Sequence, residues 1–260
     1  MIVGFRVDAN EYIASGHMVR CLTLAKELYK LGCECVFYLA QDKETWRLSE
    51  NSFEFEILHS DWKNLNAEKD LLSEIIQKKK LDWLVVDSYQ ADNTYLSFLN
   101  KYCKVAYIDD MATEKYDVAA VIHYGLEDST YASMYDKTDT LCMTGSEYIL
   151  LRDEFGENHY DGVREKSVLI TTGGTDMFNV TLDVLKDLLD DKMFNEFSFY
   201  AIVGSMNSHE DEIRAFAKSN HQVKVLKNIS NMSFYMRKCA FAISAGGTTL
   251  YELCACNTPT

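Results

Sequence analysis

Val168-Leu169-Ile170-Thr171-Thr172-Gly173-Gly174-Thr175 joins a β-branched apolar run to a Gly-Gly pair, and a helix-period stretch, Val180–Leu189, follows it. A strand-length run that ends in glycine and gives way to an amphipathic helix is the repeating unit of a parallel sheet covered by helices. The pattern returns at Phe241–Ser244, Ala245-Gly246-Gly247-Thr248 and Thr249–Ala255. Between these two copies lie strand-like Phe199–Val203 and Val223–Leu226 and helix-like Glu210–Lys218 and Met232–Lys238. Upstream, strands are expected at Ile2–Val7, Cys35–Leu39, Trp83–Val86, Val105–Ile108 and Ala119–Ile122, separated by helices at Met18–Leu31, Leu65–Lys79 and Thr94–Asn100. The chain is therefore of the α/β class, in two Rossmann-like series. Tyr148–Lys166, polar after Leu151 and without a period, reads as a linker, which places the domains at 1–155 and 156–260.

Composition narrows the function. The 260 residues carry 26 Lys plus Arg against 40 Asp plus Glu, a net charge of −14. Nucleic acid is bound by clustered cations, and the one basic run, Lys78-Lys79-Lys80, is a solvated helix end. No apolar run is long enough for a membrane span or a signal peptide, so a cytoplasmic protein without membrane insertion is expected. Eight cysteines in no C-x-x-C spacing argue against structural zinc and for reduced thiols. Residues 1–150 hold 15 basic and 25 acidic side chains, a net of −10, against −4 for 151–260, so an anionic ligand meets less repulsion in the second half.

Both glycine clusters, Gly173-Gly174-Thr175 and Gly246-Gly247-Thr248, suit a phosphate: glycine lets backbone N–H groups approach, and the following helix start is partially positive. Two tight strand-to-helix turns satisfy the same pattern. Neither fits G-x-x-x-x-G-K-[ST], and no G-x-G-x-x-G occurs. Glu252, one turn into the last helix, has a carboxylate able to accept both hydroxyls of a ribose. In the first half, Arg6-Val7-Asp8 is followed by Gly16-His17-Met18-Val19-Arg20. His17 at a helix start is kept neutral by the dipole, as a general base requires. Asp8, Asp87 and Asp109-Asp110 end or follow strands and so share a rim with His17; each alone reads equally as a cap or loop carboxylate.

In order along the chain stand Arg6-x-Asp8, Gly16-His17-x-x-Arg20-Cys21-Leu22, Val86-Asp87-x-Tyr89, Ile108-Asp109-Asp110, Tyr148-x-Leu150-Leu151-Arg152-x-Glu154-Phe155, Gly173-Gly174-Thr175-Asp176, Asn231-Met232 and Ala245-Gly246-Gly247-Thr248-Thr249-x-Tyr251-Glu252. This ordered set resembles the UDP-2,4-diacetamido-2,4,6-trideoxyhexose hydrolases of pseudaminic acid biosynthesis and the related spore-coat polysaccharide proteins. The resemblance implies a GT-B-like fold with a cleft between two Rossmann-like domains, and a second domain that stops short at Thr260. It implies hydrolysis of the bond between sugar C1 and UDP, with His17 as general base. Arg6, Asp8, Gly16, Arg20, Asp87, Tyr89 and Asp110 would line the sugar site. Gly173, Gly174, Thr175, Gly246, Gly247 and Thr248 would hold the diphosphate, Glu252 the ribose, and Asn231 and Met232 the uracil. No cofactor or metal is implied. The partner is a UDP-sugar, with an acetyltransferase or a sugar-acid synthase as functional neighbours. Ala14, Ser88 and Gln90 depart from the family's usual Gly, His and Gly. The competing readings are a GT-B glycosyltransferase and an inactive nucleotide-sugar binding module.

Overall fold

Strand β1 (Ile2–Val7) forms over a β-branched and aromatic run broken only by Gly4 and Arg6, and its residues beyond Ile2 are all buried. This is seen in a computed structural model of the chain, which describes residues 1–10, 12–125, 129–156, 162–227 and 229–260. The chain divides into two units, Met1–Leu150 and Leu151–Thr260. The stretch read as a linker, Tyr148–Lys166, includes 157–161, which lie outside the described residues.

In the first unit β1 is followed by α1 (Gly16–Lys30), β2 (Glu34–Leu39), α2 (Trp46–Glu50), β3 (Glu54–Ile57), α3 (Lys69–Lys79), β4 (Trp83–Asp87), α4 (Asn93–Leu99), β5 (Lys104–Ile108), β6 (Ala120–His123), α5 (Ser129–Ser133) and β7 (Leu141–Thr144). The sheet order is β3-β2-β1-β4-β5-β6-β7, and every pairing is parallel. Helix α1 buries Met18, Cys21, Leu22 and Ala25, the i, i+3, i+4, i+7 spacing of one helical face. On the other face α3 and α4 pack Leu72, Ile76, Leu96 and Leu99 against Val36, Leu84 and Val105.

The second unit runs β8 (Glu165–Thr171), α6 (Val180–Asp190), β9 (Ser198–Val203), α7 (Glu210–Ser219), β10 (Val223–Lys227), α8 (Met232–Lys238), β11 (Cys239–Ser244) and α9 (Thr248–Ala255). Its sheet, β10-β9-β8-β11, is again wholly parallel. Among the described residues no helix is long and apolar enough to cross a membrane.

Strand order fixes where ligands go. In each unit the chain steps outward from its first strand and then returns to the other side of it, so the order reverses between β1 and β4 and between β8 and β11. Loops at the carboxyl ends of strands diverge at such a switch point and leave a crevice.

The sequence reading missed β3, β7, α2 and α5. Glu54-Phe55-Glu56-Ile57 is an edge strand with three exposed residues, and so lacks the continuous apolar run by which inner strands are recognised. The single helix expected over Leu65–Lys79 is two elements, a 3₁₀ turn at Leu65–Ala67 and α3. The break falls at Glu68, whose carboxylate is drawn inward to Arg6.

Candidate active site

The switch point of the first unit gathers five of the residues singled out from the sequence. Val7 pairs with Asp87 across β1 and β4, so the loop after β1 and the end of β4 leave the sheet side by side. The loop delivers His17 in the first turn of α1, one helical turn before Arg20. Asp87 Oδ1 lies 2.5 Å from His17 Nδ1. Arg20 donates from Nε to Asp87 Oδ2 at 2.6 Å and from Nη1 to Asp110 Oδ1 at 2.7 Å, and Nη2 donates to Asp87 Oδ1. Nη1 also donates to the Tyr124 hydroxyl. Tyr89 donates its hydroxyl to Asp110 Oδ2 at 3.0 Å and meets the His17 ring edge-on, centroids 4.6 Å apart.

The short Asp87 contact fixes the imidazole tautomer. A carboxylate oxygen that close to Nδ1 calls for a proton between them, although Arg20 Nη2 also lies 3.0 Å from Nδ1; in the neutral imidazole Nδ1 then donates and Nε2 carries the lone pair. Burial alone would push the Asp87 carboxyl up, but the neighbouring Arg20 and His17 and the hydrogen bonds from both hold it far below its ordinary value. Burial, with Asp110 beside it, pushes the Tyr89 phenol up to about 12, so at neutral pH it is a donor. Asp87 also makes a stability prediction. A carboxyl depressed on folding stabilises the protein fully above its unfolded pKa, near 3.8, and that contribution is lost as pH falls below this toward the folded value. Urea midpoints from pH 5 down to pH 2 are expected to fall more steeply for the wild type than for Asp87→Asn; parallel curves would refute the assignment.

Arg6 and Asp8 sit beside this cluster, in a second one. Arg6 is wholly buried and donates from Nε to Glu68 Oε1 at 2.5 Å, from Nη2 to Glu68 Oε2 at 3.1 Å and from Nη1 to Asp8 Oδ2 at 2.6 Å. Asp8 Oδ1 accepts the N–H of Ala40, and Tyr95 donates its hydroxyl to Glu68. Arg6 thus braces the floor of the rim and is not exposed on it. Gly16 opens α1 with free space where a Cβ would stand. Ala14 takes the left-handed φ of 55°, the region where the related pattern has glycine.

In the second unit the two glycine loops are adjacent: Ser244 pairs with Thr171, and Ala245 donates its N–H to the Thr171 carbonyl. They differ at their helices. Asp176 accepts the N–H groups of Val180 at 2.8 Å and Thr181 at 3.1 Å, so a carboxylate already occupies the start of α6. Helix α9 begins after Gly247, at a φ of +106°, with no side chain capping it and with open space around Gly246 and Gly247. Of the two adjacent loops, Gly246-Gly247-Thr248 is thus the one that leaves its helix start uncapped, while the helix after Gly173, Gly174 and Thr175 is capped by Asp176. Glu252 is buried and accepts from Arg152 Nη2 at 2.9 Å, while Arg152 Nη1 pairs with Glu154 at 2.7 Å. Burial raises the Glu252 carboxyl, with Arg152 opposing. Glu154 in turn accepts the Ser233 N–H at the start of α8. Asn231 Oδ1 caps α8 at Phe234 N, and Met232 packs into the core.

Three contributors escaped the sequence reading: Tyr124, Glu68 and Gly204. Tyr124 and Gly204 each directly follow a strand, which is the signal that would have found them. Gly204 closes on the first glycine loop so tightly that a Cβ would stand 2.3 Å from the Gly174 carbonyl oxygen. Gly204→Ala is expected to destabilise the second unit by about 1–3 kcal/mol, checked by calorimetry. An unchanged Tm would refute this contact.

Two parallel α/β units, each with its polar loops gathered at a switch point, define a GT-B-like protein. Residues 167–260 match the glycosyltransferase family 28 C-terminal domain. Over 97% of its length the chain is 27% identical to an uncharacterized Methanocaldococcus jannaschii protein, of which it spans only about half, 53%. It is 25% identical to Bacillus subtilis SpsG, a spore coat polysaccharide biosynthesis protein, covering 100% of this chain and 76% of SpsG. It is 24% identical to the Campylobacter jejuni UDP-2,4-diacetamido-2,4,6-trideoxy-beta-L-altropyranose hydrolase, covering 97% of this chain and 87% of that one. The chain is a distant homologue of these proteins. In fold it resembles Acinetobacter baumannii MurG (TM-score 0.59, 10% identity, 96% of this chain and 73% of MurG) and S. aureus MnaA solved with UDP (TM-score 0.61, 12% identity, 99% and 77%).

Proposed function

We propose that the chain hydrolyses a UDP-2,4-diacetamido-2,4,6-trideoxyhexose, with His17 as general base. The observation that carries this reading is the His17–Asp87 contact, which leaves Nε2 as the proton acceptor on a rim otherwise lined by hydrogen-bonding groups. A water proton passes to Nε2 as the water oxygen bonds to sugar C1, the C1–O bond breaks, and UDP leaves with the electron pair. Direct attack inverts the anomeric centre. UDP is a good leaving group, and N–H groups at the start of α9 stabilise its developing charge, so no acid on the leaving oxygen is needed. In this reading the second unit holds the nucleotide through Gly246, Gly247 and Thr248, with the Arg152–Glu252 pair at the ribose. Asp110, held by Arg20, orients Tyr89 toward the sugar. The free sugar is a substrate for a condensing sugar-acid synthase.

The family 28 domain match favours a second reading, transfer of the sugar to an acceptor. The two separate in one assay. Hydrolysis predicts UDP release from the purified chain in buffer with the UDP-diacetamido sugar alone; release only after a lipid or saccharide acceptor is added supports transfer.

A further inference from the structure

We propose that Tyr12, Trp62 and Lys63 form a subsite that recognises an N-acetyl group of the sugar; this rests on the nucleotide-sugar reading and goes beyond it by assigning substituent specificity. Tyr12 lies in the loop between β1 and α1, the loop that ends in His17, and is 65% exposed. Its ring stacks on Trp62, centroids 6.1 Å apart and planes 23° from parallel. Lys63 Nζ stands 5.3 Å from the centre of each ring. An exposed aromatic pair with an ammonium over both rings offers an apolar face and a hydrogen-bond donor together.

Both loops that carry the cluster are held in place. Asn10 Oδ1 accepts the N–H groups of Tyr12 and Ile13, and Asn10 bridges to Ala14, whose φ of 55° turns the chain back toward His17. On the Trp62 side the Ser60 N–H donates to the Ala40 carbonyl at 3.1 Å, and the Ser60 hydroxyl donates to Glu68. Glu68 is the carboxylate that grips Arg6, and Arg6 grips Asp8 at the root of the Tyr12 loop. The buried Arg6 cluster thereby ties the two loops to one frame. That gives Arg6 and Asp8 a consequence for the sugar although neither is placed to touch it.

The chemistry matches an acetamido group better than a hydroxyl. The acetamido methyl packs on a ring face, while its carbonyl oxygen accepts from the Lys63 ammonium. A hydroxyl in that place covers no ring and leaves the apolar face in water. The subsite therefore discriminates N-acetylated hexoses from those with a hydroxyl in its place.

Trp62→Ala and Tyr12→Ala are expected to raise KM for the UDP-diacetamido sugar by roughly three- to tenfold, with kcat and UDP affinity within about twofold of wild type. Tyr12→Phe restores the wild-type KM, since the ring and not the hydroxyl makes the contact. Unchanged KM in both alanine variants would overturn the subsite. Saturation-transfer NMR with free N-acetylglucosamine reads it without turnover: enhancement of the acetyl methyl in the wild type, lost in Trp62→Ala, is expected. Absence of that enhancement in the wild type overturns the subsite even where hydrolysis proceeds. Enhancement without hydrolysis supports the subsite and overturns only the reading of the reaction.

Discussion

His17→Ala is expected to lower turnover of the UDP-diacetamido sugar by about 10²-fold or more while UDP affinity stays within about twofold of wild type. The asymmetry follows from where the residue sits. His17 belongs to the first unit and UDP contacts are assigned to the second, so truncating the imidazole removes the proton acceptor and leaves the glycine loops intact. Deleting a buried ring also frees Asp87 Oδ1 of one partner, but Arg20 still donates to both Asp87 oxygens, so the cluster remains charge-balanced. Single-turnover rates together with UDP titration separate the two effects. A variant that retained wild-type turnover would remove His17 from the mechanism; one that lost UDP binding in proportion to rate would make it a binding residue.

Asp87→Asn is expected to be the most damaging isosteric change in the molecule. The carboxylate does two things at once: it accepts the hydrogen bond from His17 Nδ1–H and it receives two of the donors of a buried Arg20. An amide keeps one acceptor and turns a donor toward a guanidinium. The imidazole loses the anion that fixes its tautomer and stabilises it as it takes up a proton, a loss of roughly 10²- to 10⁴-fold in rate. Arg20 is left with Asp110 as its remaining carboxylate, and breaking a buried pair in this way costs about 3–5 kcal/mol. Rate and stability should therefore fall together, read by kcat and by urea unfolding, and stability should fall less in His17→Ala than in Asp87→Asn. Wild-type stability in Asp87→Asn would mean that the cluster is not held by this carboxylate.

The sequence made the inner strands, their glycine loops and His17 legible because each leaves a local mark. Val168–Thr171 is a continuous apolar run because β8 is buried on both faces, and Gly247 is required by a φ that disfavours a side chain. What stayed hidden depends on distant partners. Nothing local distinguishes Arg6, which braces the floor, from Arg20, which reaches the rim; the difference is Glu68, 62 residues away from Arg6. The two glycine loops look alike in sequence, and only Asp176 folding back onto the start of α6 separates them. Nothing local shows that Glu252 is buried against Arg152, which lies 100 residues earlier. Edge strand β3 lacks the apolar run because its residues are mostly in water.

Hydrolysis at C1 is tested most directly by carrying out the reaction in ¹⁸O-labelled water and following sugar and UDP by NMR and mass spectrometry. The label is expected at the C1 hydroxyl of the released sugar, with unlabelled UDP and the inverted anomer first to appear. Label in the UDP phosphate, or no release of UDP until an acceptor is supplied, would contradict it.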